Sequence, residues 1–148
     1  EKQFVLDVKA FCDNNSAFFD DRELYLLRNR SRGNGIGFFE AGNFYPDFLL
    51  WLIDDNHQYV NFIDPKGLWH LDGLSDPKIQ FNRTIKELEQ RLGDPLVTLN
   101  SFIVSVTPFE RIKWWTMDHD RSVLEEANVF FQPDDDNYVS QIIDKILR

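Results

Sequence analysis

Three charged residues lie at the outer ends of two apolar segments of the chain. Asp47 comes directly before FLLWLI, and Asp64 and Lys66 follow QYVNFI. A pair of carboxylates can hold a hard divalent cation such as Mg²⁺, which prefers oxygen ligands and retains several waters. Such a metal lowers the pKa of a bound water and stabilises charge on a phosphate, and a lysine beside it adds a compact positive charge. If the fold brings the three side chains together, their types suit phosphodiester hydrolysis.

The two apolar segments are joined by a short polar turn, which predicts a β-hairpin centred between Asp55 and Asn56. In that register, residues whose numbers sum to 111 lie opposite each other, so Asp47 faces Asp64. Opposite residues share a sheet face, and Lys66 lies two positions beyond Asp64 on the same face. Like charges placed opposite each other destabilise a sheet, so we expect Lys66 or a divalent metal to offset them. A turn with an odd number of residues would put the two acids on opposite faces.

Proline marks the same end of both segments. Because proline cannot donate to a β-ladder, we expect Pro46 at the start of the first strand and a fray or bend of the second strand at Pro65. The alternative interpretation of Asp47, Asp64 and Lys66 is a purely structural salt-bridge cluster at the end of a sheet. Charge clusters of this kind also occur in proteins where they have no function beyond structure.

The periodicity along the chain predicts a mixed β-sheet flanked by helices, which is an α/β fold. A helix is expected over residues 2–12. A second helix is expected from the Asp76 N-cap and Pro77 to the Gly93 stop. Its apolar stripe is Phe81, Ile85, Leu88 and Leu92. Strands are expected at residues 23–29, 44–53, 58–64 and 96–108. A helix at 109–115, a short strand at 128–132 and a terminal helix at 138–148 complete the α-β-β-β-α-β order with peripheral elements.

The signature Pro46-Asp47, sixteen residues, then Asp64-Pro65-Lys66 resembles that of the PD-(D/E)XK nuclease superfamily, whose core has the same α-β-β-β-α-β order. Two longer segments, LLRNRSRGNGIGFFEAGNFYPDFLLW and QYVNFIDPKGL, resemble the sequence of the nuclease domain that follows a helicase in type III restriction subunits and related phage-defence proteins. The resemblance covers residues 23–92, with a weaker match at the N-terminus. The second acidic position, often Glu in the family, is Asp64 here.

This resemblance implies a restriction-endonuclease-like fold and a DNA endonuclease that requires Mg²⁺ or Mn²⁺. It implies that Asp47 and Asp64 bind the metal and that Lys66 is catalytic. Because the family often has a glutamate on its first helix, it also implies Glu1 as a further metal ligand. A helicase or ATPase domain is then expected elsewhere in a longer protein, since the chain has no Walker-type phosphate loop.

The length of 148 residues suits one domain, residues 1–148, and the absence of an initiator methionine suggests a fragment of a longer protein. The resemblance implies that this fragment is the C-terminal part of a helicase-containing protein. The single cysteine, Cys12, excludes an internal disulfide framework and a Cys-rich metal site. It fits a reducing compartment, so we expect a cytoplasmic location. No apolar segment approaches the roughly 18 residues of a membrane span, so no membrane partner is expected.

Contact with DNA requires a local basic surface, because the net charge of the chain is −9. Arg28, Arg30 and Arg32 are the candidates for phosphate contact, with a solvated loop and strand edge as the alternative. Gln80, on the helix after the signature, is a further candidate. Three hypotheses stay open: a live nuclease, a nuclease fold that no longer cuts and acts as a DNA-binding or protein-interaction module, and an unrelated α/β domain with a coincidental acidic cluster.

Overall fold

A computed structural model describes residues 1–30, 34–38, 41–112 and 120–148 of the chain. Its main elements are α1 (Lys2–Asn14), β1 (Arg22–Arg28), β2 (Phe48–Asp54), β3 (His57–Lys66), α2 (Pro77–Leu92), β4 (Val97–Ser105), α3 (Arg121–Glu126), β5 (Val129–Phe131) and α4 (Tyr138–Ile146). The predicted α/β class is confirmed: a five-stranded mixed sheet is flanked by helices. No helix among the described residues is both long and apolar enough to span a membrane.

The strands lie in the order β1-β2-β3-β4-β5. The pairs β1–β2 and β2–β3 are antiparallel, and β3–β4 and β4–β5 are parallel. The parallel step follows from α2, which connects β3 to β4 and allows the chain to return before the next strand. Neighbouring strands in the sheet are therefore also neighbours in the sequence.

Helices cover both faces of the sheet. On one face α1 and α4 pack on alternate residues of the strands, and this core includes Phe4, Leu50, Leu52, Ile63 and Ile142. On the other face α2 buries Phe81 and Ile85 against Phe44 and Phe62. Leu124 of α3 extends this second layer beside β5. Leu92, expected in the apolar stripe of α2, is instead 56% exposed because it lies in the last turn of the helix.

The predicted hairpin register is confirmed. β2 and β3 pair from Phe48 with Ile63 to Asp54 with His57, and every pair of numbers sums to 111. Asp55 and Asn56 form the two-residue turn, with Asp55 in the left-handed region at φ 53°. The even turn places Asp47, Asp64 and Lys66 on the face covered by α2.

Three details of the strands differ from the sequence prediction. β4 ends at Ser105 and not at Pro108. β2 begins at Phe48 and not at Phe44, which forms an isolated bridge with Phe38. β3 does not fray at Pro65 but continues to Lys66. Pro46 and Pro65 would face each other in the same register, so neither can donate across the hairpin, and the β2–β3 ladder ends before them. Pairing of β3 with β4 holds Pro65 in extended conformation.

The C-terminal part agrees with the prediction in two of its three elements. The short strand is β5, and the terminal helix is α4. The helix expected at 109–115 is a 3₁₀ turn at Phe109–Arg111, and the remainder of that prediction falls at 113–119, outside the described residues. The sequence did not predict α3.

Candidate functional site

The candidate site lies where the hairpin ends, opposite its turn. Asp47 directly precedes β2, Asp64 lies near the end of β3, and Lys66 is its last residue. Extending the ladder by one step beyond Phe48 and Ile63 brings Asp47 opposite Asp64. The charge of Asp64 raises the pKa of Asp47, so the two carboxyl groups lie close enough to affect each other. The sequence-predicted trio therefore comes together on one face of the sheet.

Asp64 and Lys66 form a largely buried ion pair. Only 4% of Asp64 is exposed, and Nζ of Lys66 pairs with its Oδ2. The same ammonium lies 5.3 Å from the centroid of the Phe44 ring. Phe44 is itself buried against Phe81 of α2, which fixes the position of its ring. Lys66 is thus held between a carboxylate and an aromatic face, a favourable arrangement for a desolvated cation.

The two carboxyl groups are harder to ionise than ordinary aspartates. Burial raises the pKa of Asp47 to about 6, helped by the charges of Asp64 and Glu1 and opposed by those of Lys66 and Arg28. Burial also raises the pKa of Asp64, although Lys66 and Lys78 oppose that change. A proton shared between two carboxylates is the state expected when nearby cations do not fully compensate their charge. A divalent cation between them would replace that proton.

Glu1 lies near the acids but is paired with an arginine. Its Oε2 accepts a hydrogen bond from Nη2 of Arg28 over 2.5 Å, and both side chains are well exposed. Glu1 precedes α1, and α1 packs on the opposite face of the sheet from α2. The charge of Glu1 nevertheless contributes to the raised pKa of Asp47. Glu1 therefore borders the site, and its carboxylate neutralises one of the arginines expected to contact DNA.

The other residues expected to contact DNA have different surroundings. Arg30 is exposed just beyond β1, and Arg32 lies outside the described residues. The side-chain amide of Gln80 donates to the carbonyl oxygen of Leu74, so it fastens α2 to the segment that precedes it. Gln80 thus has an internal structural contact, and the basic surface nearest the site includes only Arg28 and Arg30 among the described arginines of the expected tract.

Three residues near the site were not identified from the sequence. Lys78, in the first turn of α2, is close enough to Asp64 to affect its pKa. Phe44 faces Lys66, and Asn29 contacts the backbone on both sides of Asp47. The N-cap at Asp76 indicated where Lys78 would lie in a helix, but no sequence signal indicated that this helix start approaches the end of β3.

The donor set suits a hard cation in chemistry but provides only part of a coordination sphere. Asp47 and Asp64 offer carboxylate oxygens, the ligands that Mg²⁺ and Mn²⁺ prefer, and Mg²⁺ commonly binds through one or two carboxylates and several waters. Among the residues that the structure describes, no three His, Cys, Asp or Glu side chains are grouped closely enough to hold a metal. The residues therefore fit a cation bound by two aspartates and water.

Comparisons with protein-family models, with curated proteins and with solved structures found no match for this chain.

Proposed function

We propose that this chain is a metal-dependent DNA endonuclease domain with a restriction-endonuclease-like fold, a member of the PD-(D/E)XK nuclease superfamily. The observation that supports the proposal is the meeting of Asp47, Asp64 and Lys66 on one sheet face, opposite the hairpin turn. The order α1-β1-β2-β3-α2-β4, which the resemblance implies for the family core, supports it further. The biological role that fits is the effector of a restriction or phage-defence system in the cytoplasm.

In this proposal Asp47 and Asp64 hold Mg²⁺ or Mn²⁺ through one oxygen or more of each carboxylate. The metal, when bound, supplies an activated water and stabilises negative charge on the phosphate. Lys66 provides a fixed positive charge toward the same phosphate, which develops additional negative charge during attack. Phe44 restricts where the ammonium can lie, so that charge is already in place before the reaction. Arg30, with Arg28 and Arg32, binds the DNA backbone.

A second candidate is a nuclease fold that binds DNA or a protein without cutting. Two observations favour it. Lys66 already neutralises Asp64, and Glu1 is paired with Arg28, so no third acid is directed to a metal among the described residues. In that case the aspartates and the lysine form a structural charge cluster.

Cleavage and metal binding by matched variants distinguish the two candidates. Supercoiled plasmid is incubated with the chain in Mg²⁺ or Mn²⁺, and Mn²⁺ binding is measured by calorimetry. Asp64→Asn should abolish both nicking and binding, whereas Lys66→Met should abolish nicking but leave most of the metal binding. The controls are Asp144→Asn, an exposed position in α4, and Lys9→Met, an exposed position in α1. A wild-type chain that binds no metal and cuts no plasmid, alone or with its partner domain, would favour the second candidate.

A further inference from the structure

The outer edge of β1 is an unpaired strand edge. β1 is the first strand of the sheet, and all seven of its residues pair with β2 in one unbroken register. The N–H of Asn29 donates to the carbonyl oxygen of Asp47, so Asn29 and every second residue before it bond to β2. The N–H and C=O groups of Leu24, Leu26 and Arg28 therefore point away from β2. Within the part of the chain that the structure describes, no backbone group on that outer side bonds to them.

This edge lacks the features by which proteins usually protect an unpaired strand. Common protections are proline, inward-pointing charges and β-bulges. β1 has no proline and no bulge, its central segment is LYLL, and its charged residues lie only toward its two ends. The opposite edge of the sheet is β5, which has three residues, all of them buried. The edge of β1 is therefore suited to pair with another strand.

Apolar groups are exposed on both sides of this edge. On the side of α2, Tyr25 is 49% and Leu27 is 46% exposed, and the ring of Trp51 lies 6.5 Å from that of Tyr25. On the other side lies a cleft of about 490 Å³, lined by residues of α1, of the 3₁₀ turn that follows it and of β1, including Phe19 and Leu24. None of the described residues that line it belongs to β2, so the cleft opens along the outer edge. A strand added here would cover apolar surface and gain backbone hydrogen bonds.

We propose that β1 pairs in antiparallel orientation with β1 of a second copy of this chain, so that the two sheets join across a two-fold axis. The outward backbone groups belong to even-numbered residues, so the pairing must place even opposite even. The register centred on Leu26 meets this condition and places Tyr25 of each copy opposite Leu27 of the other. Both exposed apolar side chains then form cross-strand pairs. Because β1 pairs with itself, the assembly closes at two copies.

The charge of β1 also fits a second copy of the chain. The net charge of −9 makes two copies repel each other over most of their surface. β1, however, contains two arginines and one glutamate, so the contact region lacks the acidic excess. Arg22 is paired with Asp54, and Arg28 is paired with Glu1, so the positive charges at the ends of β1 are already compensated within each copy. The two strands can therefore approach each other with little repulsion.

The molar mass in solution tests this pairing, measured by light scattering over a dilution series. The wild-type chain should have twice the 17.6 kDa of the monomer and should dissociate on dilution. Tyr25→Lys keeps every backbone hydrogen bond but places a charge against the apolar Leu27 of the second copy, so it should give the monomer mass. The matched control is Leu6→Lys, at a 47% exposed position of α1, which should stay dimeric. The circular dichroism of both variants should equal that of the wild type.

Leu26→Cys tests the register. Opposite residues of a hydrogen-bonded antiparallel pair have Cα atoms about 5.5 Å apart, within the range of roughly 4.4–6.8 Å that a disulfide requires. Mild oxidation should therefore link two copies of Leu26→Cys into a dimer on a non-reducing gel. The wild-type chain, whose single cysteine Cys12 lies on α1, should not be linked.

Four results would overturn the proposed pairing. They are a wild-type chain that is monomeric at every concentration, a Tyr25→Lys variant that keeps the dimer mass, a Leu6→Lys variant that also loses it, and a Leu26→Cys variant that does not cross-link. Dimerisation through β1 is independent of the proposed nuclease activity. A dimer that cuts no DNA contradicts the proposed function alone, and a chain that cuts DNA but is always monomeric contradicts this pairing alone.

Discussion

The backbone N–H of Asn29 donates a hydrogen bond to the carbonyl oxygen of Asp47 over 2.8 Å. The side-chain amide of Asn29 also donates to the carbonyl oxygens of Pro46 and Ile36, each at 2.8 Å, and its Oδ1 accepts from the N–H of Ile36 at 3.0 Å. Asn29, directly after β1, thus connects the loop at Ile36 with the backbone of Pro46 and Asp47. It fixes the backbone of a proposed metal ligand through hydrogen bonds to main-chain groups alone.

Asn29→Asp should show the value of these bonds, because aspartate keeps the shape and the acceptor but loses the donor to Pro46 and Ile36. We expect a loss of about 1–2 kcal/mol in the free energy of unfolding, the net value of two hydrogen bonds, measured by urea denaturation. Metal affinity should also fall, because Asp47 loses its fixed backbone. Asn137→Asp, at the N-cap of α4, is the control. Normal metal binding by Asn29→Asp would mean that Asp47 is held by other contacts.

Asp47 should make the chain less stable as the pH rises. Its pKa is about 6 in the folded chain, above the ordinary value of 3.8, so the folded state binds more protons than the unfolded state between these values. Stability contributed by Asp47 is therefore complete at low pH and is lost as the pH rises through 6. Asp47→Asn should gain stability relative to wild type from pH 4 to pH 8, measured by urea midpoints in EDTA. A difference that does not vary with pH would contradict the raised pKa.

Asp64 and Lys66 should be strongly coupled in a double-mutant cycle. Lys66→Met leaves a buried carboxylate without its cation, and breaking a buried pair in this way costs about 3–5 kcal/mol when both groups are enclosed. Because Lys66 keeps part of its exposure, we expect about 2–4 kcal/mol in the free energy of unfolding. The double variant Asp64→Asn, Lys66→Met should cost less than the two single changes added together. Strict additivity would show that the pair contributes no mutual stabilisation.

Local patterns accounted for the parts of the site that lie within one hairpin. The period of two along a strand and the even turn at Asp55 and Asn56 were sufficient to bring Asp47, Asp64 and Lys66 together, because each depends on residues near in sequence.

Contacts between remote elements could not be predicted in the same way. Arg28 pairs with Glu1 because the residue before α1 lies beside the last residue of β1. Phe44 lies over Lys66, and its ring packs against Phe81 of α2. Pro65 was expected to disturb β3. The strand continues through Pro65 because it pairs with β4 on its other edge, so the missing N–H does not end it. In each case the deciding partner is far away in the sequence, and nothing in the local pattern specifies it.

The turn of the hairpin offers a stabilising change away from the site. Asp55 has a positive φ of 53° and is the first of two turn residues, a position where hairpins with a single positive φ prefer glycine. Asp55→Gly should raise the free energy of unfolding by about 0.5–1 kcal/mol because the left-handed conformation costs glycine little. Asp55→Ala, which keeps the steric cost, should not. Since the turn lies opposite the site, any cleavage activity should be equal in both variants.

Binding of DNA by the chain alone should be weak and should depend steeply on salt. The net charge of −9 repels DNA at long range, and the expected contacts come from Arg28, Arg30 and Arg32. About three phosphate contacts give a slope near −2.7 in log affinity against log salt, or roughly 40-fold weaker binding between 50 and 200 mM salt. Arg30→Gln should reduce that slope by about one. Arg28→Gln should reduce it less, because Glu1 already neutralises that arginine.

Weak binding of this kind has a consequence for how the domain is used. A linked DNA-tracking motor would raise the local DNA concentration to about the millimolar range, enough to compensate for the missing phosphate contacts. Under the proposed function, a helicase-containing protein that carries this domain should therefore cut more DNA than this chain alone and depend less on salt, measured on the same plasmid at about 50 and about 200 mM salt. Adding the motor as a separate, unlinked protein should not restore activity at low concentration, because it does not raise the local concentration of DNA around the domain. Tight duplex binding by the chain alone that is insensitive to salt would contradict this expectation and would indicate an autonomous enzyme.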